Sequence, residues 1–287
     1  MRLLGLALGV AALLYGALLV LLWWGQERLI FQPTRLPAEH RFAFGPDVHE
    51  RHIDVDGARL SALHLKLPAP RGLVFYLHGN AGNLDSWFVN ADFWRRANFD
   101  LFMIDYRGYG KSTGRITSQA QLEADVRAAW AAATPDYAGR PLVIFGRSVG
   151  TGLASALAAE HQPALTVLVS PYTSLRTLAA EHYPWVPAAL LRYPLASDAA
   201  VPRLRGPLLL LHGADMAPSP ITATTRRDSP LSRAATAMPR AAEIDVEEWP
   251  TPKVSYSLSL RRGKPETPSS IRSRPMPARL PVSTLWA

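Results

Sequence analysis

The chain has 287 residues, 48% of them hydrophobic and 19% charged, with no cysteine and a formal net charge of +8. That length and composition suit one large α/β domain with a proper core and exclude wholesale disorder, and the missing thiols exclude disulfide frameworks, zinc fingers and cysteine nucleophiles. Residues 216–287 hold 11 Lys/Arg against 6 Asp/Glu, so most of the positive excess sits in the C-terminal tail, and no aromatic-interleaved basic stripe in the body points to nucleic acid as a partner.

Leu3 to Trp24 carries no charge over 22 residues. As a helix rising about 1.5 Å per residue it spans roughly the 30 Å hydrocarbon layer, with Trp23 and Trp24 placed as an interfacial belt. The run is longer than a signal-peptide core and no small-residue cleavage site follows it. The expectation is therefore an uncleaved, single-pass anchor within residues 1–28, contacting the membrane through residues 3–24. Arg2 on one flank and Arg28, Arg35 and Arg41 on the other leave the side of the membrane open.

Past a loop marked by Pro33 and Pro37, "HERHIDV" and "ARLSALHL" alternate in polarity around Asp56-Gly57, which predicts an antiparallel pair with a type I′ turn. The pattern then changes to short continuous apolar runs at 72–77, 100–105, 141–146, 165–170 and 207–213. Such runs predict strands buried on both faces, as in a parallel sheet. Helix-like stretches at Ser118 to Thr134 and Val149 to Glu160 lie between them, and prolines 135, 141, 163 and 171 fall at the boundaries. The class is α/β, a mostly parallel sheet flanked by helices, over residues 29–215.

Within that domain Gly146-Arg147-Ser148-Val149-Gly150 forms a G-x-S-x-G pattern directly between the run "LVIF" and a helix-like stretch. A nucleophile elbow needs this context, because small residues let the strand turn sharply into the helix and leave the serine hydroxyl exposed. An elbow serine needs donors for a developing oxyanion: the Val149 amide is one, and Asn80, following His78-Gly79 after an earlier strand, presents the second. The stretch "DYRGYGKS" ends like a phosphate-binding loop, but Asp105 stands where its first glycine belongs, and a carboxylate there would repel phosphate. That segment is expected to shape the floor of the pocket instead.

Five motifs, "HGNAGN" (78–83), "DYRGYGKSTG" (105–114), "GRSVGTGLA" (146–154), "SPYTS" (170–174) and "LLLLHGAD" (208–215), together resemble the membrane-anchored serine-hydrolase branch of the α/β-hydrolase superfamily, related to serine aminopeptidases and lysophospholipases. The resemblance runs from the anchor to about residue 215. It implies hydrolysis of an ester, thioester or amide through an acyl-enzyme on Ser148, a small acyl or peptide substrate with lipid among the candidates, and no metal or organic cofactor.

The resemblance also exposes a gap. In this superfamily the chain order is serine, acid, histidine, with the acid usually three residues past the "HG" glycine. Met216 occupies that place and Asp215 stands one residue early; Asp215 is the candidate acid, with Asp198 a more distant one. All eight histidines (40, 49, 52, 64, 78, 161, 182 and 212) precede residue 213, so none can fill the late position. Without an imidazole to take its proton, the Ser148 hydroxyl stays a weak nucleophile. Residues 216–287 have only 11 Leu, Ile, Val or Phe, and 11 of the chain's 25 prolines, a composition that reads as disordered. The break at His212-Gly213-Ala214-Asp215, where a last section of sheet is expected, has the character of a shifted reading frame, leaving the C-terminal part of the sheet missing or degraded. A non-catalytic binding protein of the same fold is the competing reading.

Overall fold

The computed structural model describes residues 1–213 and 256–259. Helix α1 (Arg2–Ile30) opens the chain, and none of its apolar window, of mean hydropathy 2.4, is buried. It continues without a break past Trp24, and its one buried residue is Gln26 near the C-terminal end.

The central sheet is built from β1 (Val48–Val55), β2 (Ala58–Leu65), β3 (Leu73–Leu77), β4 (Asp100–Ile104), β5 (Leu142–Arg147), β6 (Leu165–Val169), β7 (Leu208–Gly213) and β8 (Tyr256–Ser259). Their spatial order is β8-β7-β6-β5-β3-β4-β2-β1, and the run from β4 to β7 is parallel throughout. The five strands expected from apolar runs are β3 to β7, and β3, β4 and β6 are buried at every position. The hairpin β1–β2 turns at Asp56-Gly57 as expected, but φ is positive only at Gly57 (68°) and not at Asp56. That sign pattern belongs to a type II turn and not to type I′, because one glycine at the third turn position already supplies the required left-handed residue.

The helices divide between the two faces. On one lie α2 (Leu84–Trp87) and α3 (Ala91–Ala97), where Leu84, Phe88 and Ala91 pack against Val74, Tyr76, Leu101 and Met103. On the other lie α4 (Gln119–Ala133) and α5 (Gly150–His161), where Leu122, Val126, Trp130, Leu153 and Leu157 pack against Leu73, Phe75, Leu77 and Ile144. Alternate residues of β3 thus serve opposite cores, as the period of two requires. Ser118 caps α4 by accepting the Gln121 amide, and Pro135 follows its end. Two further helices, α6 (Leu175–His182) and α7 (Ser197–Ala200), flank the strand ends before β7.

The chain passes from β3 to β4 on one side and then returns to β5 on the other, so β3 and β5 are neighbours whose following loops diverge. A crevice opens at such a switch point, at the C-terminal ends of the parallel strands. Both the His78–Asn80 loop and the Ser148 turn leave the sheet there.

Beyond Gly213 the described residues contribute only β8, antiparallel on β7. These four residues depart from the expectation of a disordered tail. The physical reason is that the free edge of β7 offers backbone donors and acceptors to any extended segment, whatever its hydrophobicity. The rest of 216–287 lies outside the described residues.

Arg107, in the loop after β4, donates Nε and Nη2 to the two carboxylate oxygens of Asp125 on α4 at 2.6 and 2.8 Å, with both side chains buried. Removing one partner strands the other charge. Asp125→Ala is expected to lower unfolding free energy by about 3–5 kcal/mol, whereas a paired replacement by apolar residues of similar volume should cost far less. Denaturant unfolding of the two variants beside the parent checks the difference.

Candidate active site

The turn after β5 brings the serine into a conformation that a side chain rarely adopts. Ser148 has φ 51°, in the left-handed region, and its amide donates to the Val169 carbonyl at 2.9 Å. Such strain persists only where surrounding packing dictates it. Here the two flanking glycines supply the reason. A methyl at Gly146 would lie 2.5 Å from Ala154 Cβ and 2.7 Å from the Gly150 carbonyl oxygen. A methyl at Gly150 would collide with the backbone oxygens of Leu77 and His78, the latter at 2.6 Å. Helix α5 therefore starts in direct contact with the end of β3, and the strand can turn into it only through Ser148.

The same contact brings the loop after β3 to the serine, since a methyl at Gly79 would lie 3.5 Å from Ser148 Cβ. The loop is held from beneath. His78 Nδ1 donates to the Gly79 carbonyl at 2.7 Å, which fixes the plane of the Gly79–Asn80 peptide. The Tyr106 hydroxyl donates to the His78 carbonyl at 2.9 Å and the Tyr109 hydroxyl to the Asn80 carbonyl at 2.5 Å. The Gln32 amide, just past α1, also donates to the Asn80 carbonyl at 2.8 Å. Gln32–Pro33 forms a short parallel pairing with Ala81–Gly82, a feature too short to announce itself in the sequence. Among the described residues, neither the Asn80 nor the Val149 amide hydrogen has an intramolecular acceptor.

The parallel register that pairs Tyr76 with Met103 continues to set His78 beside Asp105. His78 Nε2 stands 3.5 Å from Asp105 Oδ1, both side chains being fully buried. Burial raises the Asp105 pKa, an effect partly offset by His78 and by the Leu84 amide, which donates to Oδ1 at 3.0 Å. Asp105 thus lies beneath the His78–Asn80 loop, and it does not line the cavity on the α2–α3 face. The pairing of His78 with Asp105 is what the sequence did not reveal; it depends on β3 and β4 being neighbours, which no local pattern shows.

Ser148, Val149 and Asn80 are therefore brought together. Asp215 lies outside the described residues. Asp198 is exposed at the start of α7, where its Oδ1 accepts the Ala199 amide, and it makes no hydrogen bond to the elbow. No hydrogen bond joins Ser148 to a histidine among the described residues. His64 bonds to Tyr137 at 2.8 Å and is held near pKa 4 chiefly by burial, His40 faces Asp85 at 3.3 Å, and His161 lies against Trp130. A cavity of about 350 Å³ opens on the α2–α3 face, lined by Tyr76, Trp87, Phe93, Trp94 and Arg147 among others. It adjoins the elbow through Arg147, but Ser148 does not line it.

The family model described as serine aminopeptidase, S33 (Hydrolase_4) matches residues 68–196. An uncharacterized protein of Mycobacterium tuberculosis, Rv2307c, is 32% identical over 214 residues, covering 71% of this chain and 74% of its own. The chain belongs to the α/β-hydrolase superfamily. Two more relatives match shorter stretches: human alpha/beta hydrolase domain-containing protein 17B is 30% identical over 165 residues, 55% of each chain. Protein bem46 of Schizosaccharomyces pombe is 32% identical over 136 residues, 46% of this chain and 45% of its own. The hydrolase family match takes in Asn80, Ser148 and Val149 and ends before Asp215.

In this α/β hydrolase the close approach at Gly150 has a measurable consequence. Gly150→Ala must push α5 off two backbone carbonyls, neither of which can rotate away as a flexible side chain would. Overpacking of this kind costs about 1–3 kcal/mol. The expected outcome is a lower melting temperature together with altered near-ultraviolet circular dichroism, while Ala132→Gly, on the exposed side of α4, leaves the near-ultraviolet spectrum unchanged.

Proposed function

We propose that this α/β hydrolase descends from a membrane-anchored serine hydrolase that cleaves ester, thioester or amide bonds through an acyl-enzyme on Ser148. The observation that carries the reading is the strained Ser148 turn, φ 51°, packed against the His78–Asn80 loop. In this scheme Ser148 Oγ attacks the acyl carbon, and the Val149 and Asn80 amides receive the negative charge that develops on the carbonyl oxygen. The serine proton must pass to a base and then to the leaving group. Asp215 is the proposed acid, and the late histidine it would orient has no counterpart after His212.

That gap sets the expected activity. An elbow with oxyanion donors and no general base retains a residual acceleration of about 10³–10⁴ over water, far below a complete triad. The same gap favours, as a second reading, a binding protein that uses the cleft without turnover. Measured on a p-nitrophenyl ester of a short acid, the chain should turn over barely above background and Ser148→Ala should change that little. Turnover at ordinary enzymatic rates that disappears in Ser148→Ala would overturn the missing-base reading, and His161→Ala and His182→Ala would then be the next variants to assay.

The anchor belongs to the same proposal. An apolar helix of this length is held by burial in hydrocarbon, not by surface charge, so high salt and alkaline carbonate should leave the protein in the membrane pellet and detergent should release it. Recovery of the full chain in the soluble fraction would end this reading.

A further inference from the structure

The last two turns of α1 do not hang free of the domain. Gln26 donates through Nε2 to the Leu190 carbonyl at 3.3 Å and accepts the Arg192 amide at 2.8 Å, and it is buried where the two segments meet. Arg192 pairs with Glu27, which also accepts the Tyr193 hydroxyl at 2.8 Å, and the guanidinium lies over the Trp23 ring at 5.3 Å. Farther back along the helix the Tyr15 hydroxyl donates to the Trp185 carbonyl at 2.7 Å. The segment leading up to Arg192 therefore runs along α1 from the level of Trp23 to that of Tyr15. Eight helical residues separate those levels, or about 12 Å.

That segment, Tyr-Pro-Trp-Val-Pro-Ala-Ala-Leu-Leu at 183–191, has no charged residue. After packing on α1 it still exposes Tyr183 (56%) and Trp185 (50%), and helix residues such as Leu21 (69%) are just as bare. Four of its seven backbone N–H groups have acceptors within the chain. Pro184 and Pro187 have no N–H, and the amides of Tyr183, Val186, Leu190 and Leu191 donate to the carbonyls of Ala179, Tyr183, Pro187 and Ala188. Irregular backbone is costly in hydrocarbon because water cannot satisfy its polar groups, and these internal bonds reduce that cost. The Tyr15 hydroxyl and the Trp185 carbonyl likewise satisfy each other.

Resting on the anchor reading above, we propose that residues 183–191 insert into the bilayer alongside α1 and form a second membrane contact of the domain. The partner is the lipid hydrocarbon itself. Continuity with α1 argues for it, because the segment meets α1 within the stretch that would lie in hydrocarbon. Trp23, Arg192 and Glu27 then mark the interface, and Tyr183 and Trp185 lie below it. The segment follows β6, α6 and Tyr172, whose hydroxyl donates to the Val149 carbonyl at 3.1 Å. The chain thus leads from the elbow to this membrane contact.

The absence of cysteine allows a direct test on the full chain. Single cysteines replace Trp185, Tyr183, Leu13 on the bare face of α1, and the exposed Ala138 at the opposite end of the sheet. Each carries an environment-sensitive nitrobenzoxadiazole label and is reconstituted into vesicles of phosphatidylcholine and phosphatidylglycerol, with or without acyl-chain nitroxide lipids. Labels at 185 and 183 are expected to emit to the blue of that at 138 and to lose as large a fraction of emission to the nitroxides as the label at 13. Quenching at 13 with water-like emission at 185 and 183 would overturn the insertion while leaving the anchor intact. Blue-shifted emission at 185 and 183 that nitroxide lipids do not quench would mean a protein cover, a second copy or another part of this chain, and would overturn it too. An unquenched label at 13 would remove the anchor reading and the insertion with it.

Discussion

The approach of Gly150 to the end of β3 is the contact on which the site depends. Two backbone segments meet there with no side chain between them, and the fit leaves no room even for a methyl group. With α5 fixed against Leu77 and His78, the five-residue turn has one way to connect strand and helix, and Ser148 takes the left-handed conformation that this requires. Strain of about 1–3 kcal/mol at one residue is small beside the burial of α5, whose Leu153, Ala154, Leu157 and Ala158 are all in the core. Hydrogen bonds reinforce what packing sets: the Ser148 amide donates to the Val169 carbonyl, the Thr151 hydroxyl to the Ser148 carbonyl at 2.6 Å and the Tyr172 hydroxyl to the Val149 carbonyl at 3.1 Å.

Beneath the loop that faces Ser148 lies a layer of buried polar groups, and it explains why this loop can keep free amides near a largely apolar core. His78, Tyr106, Tyr109 and Gln32 take up the carbonyl oxygens of residues 78 to 80, and the amides remain pointed elsewhere. Asp105 is the costly member, since burial disfavours its charged form, and it is tolerated because His78 and the Leu84 amide face it. Gln32 ties this layer to α1: only Phe31 separates it from the end of that helix, and Phe31 itself packs edge-on against Tyr193 at 5.2 Å. The end of α1, residues 190–193 and the His78–Asn80 loop are therefore packed together, with only Phe31 and Gln32 between the end of α1 and the bond to the Asn80 carbonyl.

Much of this was legible in the sequence because burial leaves a strong imprint there. The runs that became β3 to β7 are apolar on both faces of the chain, and Ser118, Pro135 and Gly57 marked their helix start, helix end and turn through local backbone preferences. Features set by tertiary neighbours were not legible. The sign of φ at Asp56 differs between turn types that share the same Asp-Gly pair. The pairing of His78 with Asp105 follows from strand adjacency, and Gln32–Pro33 is too short to have a period. The docking of Gln26 and Glu27 on residues 190–193 was hidden for another reason: a boundary drawn where apolar composition stops assumes that the helix stops there too, and α1 runs six residues past Trp24.

The elbow and the missing histidine are not in physical conflict. A catalytic histidine in this superfamily comes from a late loop and reaches the serine from the solvent side of the crevice, whereas the turn that presents Ser148 is determined from below by β3, β5 and α5. Removing the histidine subtracts proton transfer without subtracting any of the contacts at Gly146 or Gly150. The edge of the sheet tells the same story, since β7 is anchored by its parallel pairing with β6 through Thr166–Leu208 to Val169–Leu211, and a segment as weakly apolar as Tyr256–Ser259 can still pair with its other side. On the proposal that Ser148 is the nucleophile, a chain without that late histidine keeps the Ser148 turn and the pairing of β1 to β7, and what it lacks is the proton acceptor that turns the serine hydroxyl into an effective nucleophile.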